Sequence, residues 1–489
     1  MRVIVVGAGF GGIAATIELA KHGFHDVTIL ESAPELGGTW HFNTYPGAAC
    51  DVPSHFYSYS FAQRRDWSRL CSPQPEILDY IRRVAKDYDV ESKVVTNAHV
   101  TACRWDDASR AWEVTTQQPE GEVTYRGDAL VLATGQLNQP MWPKIDGLET
   151  FAGHSFHSAR WDHDYDLRGK RVAVVGTGAS AVQFVPAIAP EVGDLTIFQR
   201  SGNWFLPRKN RAYLKVQQWL YEHVPGLQAY RRGFLFRYGE VLTAGIRHPK
   251  TVGRLLRLYS TLFMLRQLRD PEVRRKAWPD YTFGCKRVLF SSAYLPALQR
   301  KNVSLVNEPI LRMTPAGPET ASGVHPVDCV IYGSGFKTND FMFPMEIAGV
   351  GGLSLREAWS DGPHAHLGIT VPDFPSMFIL YGPNTNTSGG SIIYYLEQQA
   401  AYVRQALELA RASGAAAIAV RRDVEAASDR EVQANFAGTA WTQCDSWYRN
   451  AEGRILTNWP LYMRTYGART KTLDPTEFEL ISSTPGAGE

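Results

Sequence analysis

The feature that most constrains the fold of this chain is a strand–turn–helix pattern that occurs twice. In its first copy, VIVVGAGFGG at residues 3–12, a β-branched strand leads into Gly7, Gly9, Phe10 and Gly12, and an apolar helical run follows. In such a pattern the first glycine permits a tight turn and the second lets the backbone approach a pyrophosphate. The third allows the helix to pack closely on the strand. The pattern therefore predicts a dinucleotide at a helix N-terminus.

The second copy is RVAVVGTGASAV at residues 171–182. Its turn residues are Gly176, Thr177, Gly178, Ala179, Ser180 and Ala181. In both copies a second strand ends in a charged residue 19 positions after the last small residue: Glu31 in the first, and Arg200, followed by Ser201, in the second. A carboxylate suits free ribose hydroxyls, whereas a guanidinium suits a 2′-phosphate. We therefore predict FAD at the first turn and NADPH at the second.

The rest of the chain indicates that the second unit is inserted into the first. Similar turns, Ala133-Thr134-Gly135 and Gly333-Ser334-Gly335, end later strands of the two units. We predict an α/β protein with two Rossmann-like dinucleotide-binding domains, nested and discontinuous, and a helical insert. The predicted parts are an FAD-binding domain (1–145), an NADP-binding domain (146–205), the insert (206–285), and the second parts of the NADP-binding (286–337) and FAD-binding (338–489) domains. We expect an irregular tail after Pro475.

Composition excludes several classes of protein. The chain has 51 Lys and Arg against 49 Asp and Glu, so it lacks the basic excess of a nucleic-acid binder. No apolar run approaches the roughly 18 residues of a membrane span, and the N-terminus leaves no room for a signal peptide. We expect a cytoplasmic protein. The insert has 16 Lys and Arg against 5 Asp and Glu; we favour solvated helices packed on the core over contact with a membrane surface.

The six cysteines lie at least 21 residues apart and form neither a CxxC pair nor a zinc cluster. We therefore predict no metal site and no disulfide framework. Cys50 and Cys285 are expected to pack as small apolar side chains.

Between the two units, FAGHSFHSARWD at residues 151–162 matches the pattern FxGxxxHxxxW followed by Pro or Asp. The matching residues are Phe151, Gly153, His157, Trp161 and Asp162. This segment resembles the fingerprint of type I Baeyer–Villiger monooxygenases, a class B branch of the flavin-containing monooxygenases. Four further segments resemble that family: residues 38–51, GCKR at 284–287, GPNTNTSGGS at 382–391 and DSWY at 445–448. N-oxygenating relatives typically carry an aromatic and a basic residue where Trp161 and Asp162 stand, so the Baeyer–Villiger branch is favoured.

The resemblance implies roles for further residues. FAD contacts are implied for the first glycine turn, Glu31, Thr39, Trp40, Asp51, Tyr57, Val100 and Ile392. NADPH contacts are implied for the second glycine turn, Arg200, Ser201, Lys286, Arg287 and Trp447. Arg287 is implied as the catalytic residue over the flavin, with Asp51 tuning it, and His157 is expected to structure the linker.

The implied reaction converts an apolar ketone and O2 into an ester or lactone through a C4a-peroxyflavin. A fixed guanidinium suits this chemistry because it stabilises the developing oxyanion and does not lose its proton. Two alternatives stay open: an N- or S-oxygenating flavin monooxygenase, and a flavin-bound redox sensor without turnover. A dithiol reductase is disfavoured because CxxC is absent. The particular ketone and the oligomeric state do not follow from the sequence.

Overall fold

The computed structural model of the chain describes residues 1–208, 210–387 and 389–482. The strands of the described chain are β1 (Val3–Val6), β2 (Val27–Leu30), β3 (Val94–Val95), β4 (His99–Asp106), β5 (Ala111–Gln118), β6 (Gly121–Gly127), β7 (Ala129–Leu132), β8 (His154–His157), β9 (Arg171–Val175), β10 (Asp194–Phe198), β11 (Phe205–Leu206), β12 (Leu289–Phe290), β13 (Val303–Val306), β14 (Arg312–Thr314), β15 (Gly317–Thr320), β16 (Gly323–Val324), β17 (Cys329–Tyr332), β18 (Glu346–Ala348), β19 (Met377–Ile379), β20 (Ala417–Val420) and β21 (Phe478–Ile481). The α-helices are α1 (Phe10–Lys21), α2 (Thr39–Phe42), α3 (Gln74–Asp87), α4 (Ala181–Ile188), α5 (Lys215–His223), α6 (Leu227–Arg247), α7 (Val252–Gln267), α8 (Pro271–Ala277), α9 (Tyr294–Ala297), α10 (Leu355–Ala358), α11 (Ile392–Ala412), α12 (Arg422–Ala434) and α13 (Met463–Thr470).

The first sheet is parallel, with strand order β19-β7-β1-β2-β3. Its central strands are continuous apolar runs, as expected for strands covered on both faces. Helices α1 and α11 pack together on one face, and the antiparallel strands β4, β5 and β6 contribute to a second apolar cluster on the same sheet. This packing leaves the carboxyl end of β1 available for the first glycine turn.

The second sheet, also parallel, has the order β13-β10-β9-β17-β8. Its central strand β9 is flanked by β10 and β17, just as β1 is flanked by β2 and β7. All strands of the second sheet come after β7 and before β19 in the chain. The second domain is therefore nested within a discontinuous first domain, which confirms the predicted α/β fold class with two Rossmann-like domains. Helices α5 to α8 form the insert between β11 and β12.

The expectation of an irregular tail is wrong for residues 478–481. Strand β21 pairs antiparallel with β20, with Phe478 opposite Val420 and Ile481 opposite Ala417. A four-residue strand whose partner lies about sixty residues earlier carries too little local pattern to be recognised from sequence. The rest of the tail, 483–489, lies outside the described residues. Among the helices of the described ranges, none combines the length and apolar character needed to cross a bilayer.

Candidate functional site

The two glycine turns have the same geometry. Gly7 and Gly176 both have φ of +104°, in the region that side-chain-bearing residues rarely adopt. A Cβ on Gly7 would lie 2.6 Å from the carbonyl oxygen of Ala133, and a Cβ on Gly176 would lie 2.5 Å from that of Gly333. Both positions therefore require glycine, because the next strand of each sheet passes directly beside the turn.

The other glycines of the turns serve two different purposes: some allow close packing of a helix, and others leave room for a ligand. A Cβ on Gly12 would lie 2.0 Å from the Gly7 carbonyl oxygen, so this glycine lets α1 pack on the turn. Ala181, the equivalent residue of the second turn, is fully buried at the start of α4. In contrast, a Cβ on Gly178 or Gly135 would meet no atom within 4 Å. Open space beside the backbone and a helix N-terminus is what a dinucleotide phosphate needs, so the turns fit the two predicted cofactors.

Glu31 ends β2 with a buried carboxylate, 5 % exposed. Its two oxygens accept hydrogen bonds from the backbone N–H groups of Ala8, at 2.8 Å, and Ala33, at 2.9 Å. These bonds fix the carboxylate beside the first glycine turn. A carboxylate has about four acceptor positions, so acceptor capacity remains for ribose hydroxyls.

Arg200 ends β10 at the equivalent position, is exposed, and forms no ion pair within the described part of the chain. A second cation, Lys286, lies close by and donates a hydrogen bond to the Ser201 hydroxyl at 3.1 Å. Burial and then the charge of Arg200 lower the pKa of Lys286. Two cations held together without a bonded carboxylate make a site for an anion with several charges, such as a phosphate.

Both turns open into one cavity of about 2040 Å³. Every predicted site residue lines it except Gly12 and Ala181, the two packing positions. On the side of the first turn the lining includes Phe10, Thr39, Trp40, Tyr57, Val100 and Ile392, and on the side of the second turn it includes Thr177, Ala179 and Ser180. The Trp40 indole N–H donates to the Tyr57 hydroxyl at 3.1 Å, which fixes both aromatic rings in the wall.

Arg287 and Asp51 form an ion pair in this cavity. Nη2 of Arg287 donates to Oδ2 of Asp51 at 2.5 Å, and 44 % of the Arg287 side chain faces the open space against 18 % for Asp51. The Asp51 carboxylate raises the pKa of Arg287 above its ordinary value, against the opposing effect of burial. Burial alone would raise the pKa of Asp51, but the Arg287 charge and hydrogen bond, together with Arg208, outweigh burial and lower it. Both groups are therefore held in their charged forms.

Three lining residues escaped the sequence analysis. Nη2 of Arg208 donates to the Cys50 carbonyl oxygen at 2.6 Å and places a second positive charge near Asp51. Tyr381 and Tyr448 lie near Arg287, and burial raises the pKa of Tyr381 to about 12. Tyr381 has a usable signal, since it comes two residues after β19 at the carboxyl edge of the first sheet, and Tyr448 ends the DSWY segment.

Trp447 also lines the cavity and is 41 % exposed, so it is not a core residue. Three residues before it, Cys444 forms a disulfide bond with Cys285, which directly precedes Lys286 and Arg287. The expectation that Cys285 packs as an isolated apolar side chain is therefore wrong. The two cysteines are 159 residues apart, and they meet because their loops fold over the same cavity. Cys50 is free and buried, as expected.

The fingerprint segment builds the connection between the two domains. Its strand β8 adds to the edge of the second sheet by pairing with β17. His157 is 2 % exposed, and its Nδ1 accepts the backbone N–H of Ala159 at 3.1 Å. Burial lowers the pKa of His157 to about 4. The Trp161 ring packs on Phe184, with ring centroids 5.3 Å apart. These contacts make the segment a structural link, as the sequence analysis expected for His157.

Two nested Rossmann-like domains whose turns face one cavity define a two-dinucleotide oxidoreductase. Residues 4–230 match the family described as pyridine nucleotide-disulphide oxidoreductase. A Baeyer–Villiger monooxygenase of Pseudomonas aeruginosa is 38 % identical over 486 residues, covering 99 % of this chain and 92 % of the relative. One of Streptomyces coelicolor is 38 % identical over 490 residues, with coverage of 99 % and 93 %. This chain belongs to the Baeyer–Villiger monooxygenases, which are flavin-dependent enzymes.

Solved structures agree with this assignment. A closed crystal structure of cyclohexanone monooxygenase superposes with a TM-score of 0.88 at 28 % identity. An oxidised steroid monooxygenase bound to NADP gives 0.86 at 29 %, and OTEMO in complex with FAD and NADP gives 0.88 at 28 %. Each match covers 98 % of this chain and 99 % of the other.

Proposed function

We propose that this Baeyer–Villiger monooxygenase binds FAD at the first glycine turn and NADPH at the second. In the cavity between them it converts an apolar ketone into an ester or a lactone. The observation that carries the proposal is the Arg287–Asp51 ion pair, which lies in a cavity that both turns border. Cofactors of the same two kinds occupy the OTEMO structure, which supports the assignment.

Arg287 is the proposed catalytic residue. Bound FAD, once reduced by NADPH, would react with O2 and supply one activated oxygen atom for insertion, while the other atom would leave as water. When the ketone carbonyl is attacked, its oxygen gains negative charge, and a donor already aimed at that position stabilises the charge without reorganising. The raised pKa keeps Arg287 protonated throughout. Asp51 stays ionised and orients the planar guanidinium through its charge-assisted hydrogen bond.

Arg200, Lys286 and Ser201 are the proposed holders of the NADPH 2′-phosphate. Their support is the pair of neighbouring cations, one of which is already bonded to the Ser201 hydroxyl. Glu31 is the proposed partner of the FAD ribose, with its carboxylate fixed by two backbone N–H groups. Trp447, exposed at the cavity, is the proposed cover of the nicotinamide. Excluding water there would protect the activated oxygen of the reaction from side reactions.

We propose an apolar substrate because the insert contributes an apolar wall to the cavity. Leu235, Leu242 and Ile246 from α6 and Leu256 from α7 line it. Apolar walls with a few placed polar groups favour a ligand that is mostly hydrocarbon with one oriented carbonyl.

A product analysis by mass spectrometry tests the proposal. The purified protein with FAD and NADPH is given cyclic, linear, aryl and steroidal ketones and one thioether. We expect NADPH consumption to rise with at least one ketone, with a product that carries one added oxygen atom as an ester or lactone. Formation of the sulfoxide without ester from any ketone would favour the alternative of an N- or S-oxygenating flavin monooxygenase. A rate of NADPH consumption that no substrate changes would favour the redox sensor.

A further inference from the structure

The insert carries an unusual concentration of exposed apolar side chains. Of 23 large hydrophobic residues that are exposed in the described chain, 14 lie between Leu214 and Leu265. This segment has only about a tenth of the residues. Scattered exposed apolar residues are normal, but a contiguous patch marks a surface that something covers. The composition of the insert favours solvated helices packed on the core, but this exposure favours a surface that something covers.

The exposed residues follow helical spacing on three consecutive helices. On α6 they are Tyr230, Phe234, Tyr238 and Val241, and on α7 they are Leu255, Leu258, Tyr259, Leu262 and Leu265. On α5 they are Val216, Trp219 and Leu220. Spacings of three and four residues place each set on one face of its helix. Since α6 packs against both α5 and α7, we treat these faces together as the α5–α7 surface.

The charges around this surface are almost all positive. Residues 214–269 contain ten Lys and Arg but only two acidic residues, Glu222 and Glu240. Seven of these basic residues are exposed and form no ion pair within the described chain: Lys215, Arg237, Lys250, Arg254, Arg257, Arg266 and Arg269. Basic side chains that flank exposed Leu, Trp and Tyr are typical of helices that lie in the headgroup region of a membrane.

We propose that the α5–α7 surface docks this enzyme on an anionic phospholipid bilayer. Its apolar side chains would enter the interface, and its cations without ion-pair partners would bind the anionic headgroups. A second copy of the chain fits less well, because pairing the surface with itself would bring like charges together. The contact is peripheral, since none of the described helices can span a bilayer.

The same surface borders the cavity. Phe234, Tyr238 and Tyr259 are 48 %, 45 % and 50 % exposed, and all three also line the cavity. The cavity therefore reaches the outside beside the docking surface, where an apolar molecule could pass from the lipid without crossing water. This last step rests on the proposed ketone substrate, whereas docking itself does not.

Cosedimentation of the FAD-loaded full chain with vesicles tests the proposal. We expect binding to vesicles of phosphatidylcholine with phosphatidylserine, weaker binding to phosphatidylcholine alone, and a decrease when salt is raised. Leu258→Glu should lower the partition coefficient about tenfold or more, because it replaces a membrane-facing apolar side chain by a charge. Leu311→Glu is the matched control, since Leu311 and Leu258 are both 56 % exposed and Leu311 lies outside the insert.

Leu258 does not line the cavity, so turnover of a water-soluble ketone should be unchanged in both variants and should report their correct folding. Vesicle binding is measured without turnover, so it can succeed or fail independently of the proposed function. Equal loss of binding in the two variants, or no binding of the parent protein to anionic vesicles, would overturn the proposal. So would a dimer in sedimentation velocity that Leu258→Glu dissociates, because the surface would then be a contact between copies.

Discussion

Removing the Arg287 guanidinium should separate the two halves of the reaction. Hydride transfer from NADPH to FAD develops no isolated anion, whereas attack on a ketone carbonyl does. A positive charge about 4 Å from an oxyanion, at an effective dielectric constant of about 20, stabilises it by about 4 kcal/mol. This agrees with the roughly 10²- to 10³-fold rate loss that follows removal of one oxyanion donor. The 44 % of the Arg287 side chain that faces the cavity is the part that a carbonyl can reach.

Arg287→Ala should still fold and bind FAD. Without Arg287, Arg208 still places a positive charge near Asp51, so this carboxylate is not left as an unpaired buried charge. We expect reduction of the flavin by NADPH in stopped-flow absorbance, ester formation lowered at least a hundredfold in product analysis, and the consumed NADPH recovered as hydrogen peroxide. Arg287→Lys should not restore ester formation, because an ammonium lacks the planar fork that meets Asp51.

Arg160→Ala is a suitable comparison. Arg160 also lines the cavity, but its guanidinium lies over the Phe42 ring, at 4.0 Å, and does not contact Asp51. This variant should keep the parent ratio of ester to consumed NADPH. The reasoning is refuted if Arg287→Ala forms ester at more than about a tenth of the parent rate, since the lost stabilisation would then be below about 1.4 kcal/mol.

Three further predictions follow from the described contacts. Arg200→Ala should weaken NADPH binding about 10- to 150-fold while the use of NADH hardly changes, because only a 2′-phosphate contact is lost. Equal weakening of NADPH and NADH binding would show that Arg200 has a structural role. Since the native pKa of His157 is about 4 and the unfolded value about 6.5, the unfolded state binds the extra proton as pH falls. His157 alone should therefore lower the free energy of unfolding by up to about 3 kcal/mol between pH 6.5 and 4, and His157→Gln should lessen the fall of the urea-denaturation midpoint over that range. Alkylation of the unfolded, unreduced protein should modify four thiols by intact mass, because Cys285 and Cys444 are joined; six would exclude the bond.

The glycine turns and the residues at the ends of β2 and β10 could be predicted because each signal is contiguous in sequence. A β-branched run, three small residues and a charge 19 positions later are enough to place Glu31 and Arg200. Their placement inside one cavity then follows from the rule that ligands bind at the carboxyl ends of parallel strands. Nesting of the domains could also be predicted, because the second turn pattern comes before β19, the strand that completes the first sheet.

What could not be predicted depends on contacts between distant parts of the chain. The Cys285–Cys444 bond joins loops 159 residues apart, and Arg208 reaches the backbone of Cys50 from the start of the insert. Neither has a local pattern. The exposed stripes of the insert helices could not be predicted for another reason: an apolar stripe normally indicates a buried face, and the sequence does not tell which stripe, such as that of Leu258, stays exposed.

Because Gly7 and Gly176 have the same geometry, the FAD site and the NADPH site can each be disrupted by one equivalent substitution. Alanine at either position would have to adopt the same unfavourable φ and would approach a carbonyl oxygen to 2.6 or 2.5 Å, so the cost to the fold is nearly matched. Their consequences for electron flow differ. A variant that loses the NADPH site at Gly176 would still bind FAD, but only an artificial reductant could reduce the flavin. A variant that loses the FAD site at Gly7 would still bind the nicotinamide cofactor but would have no flavin to accept its hydride. Because the turn is duplicated, the alanine variants at Gly7 and Gly176 form a matched pair. A difference in activity between them then reports which cofactor is lost and not a difference in stability.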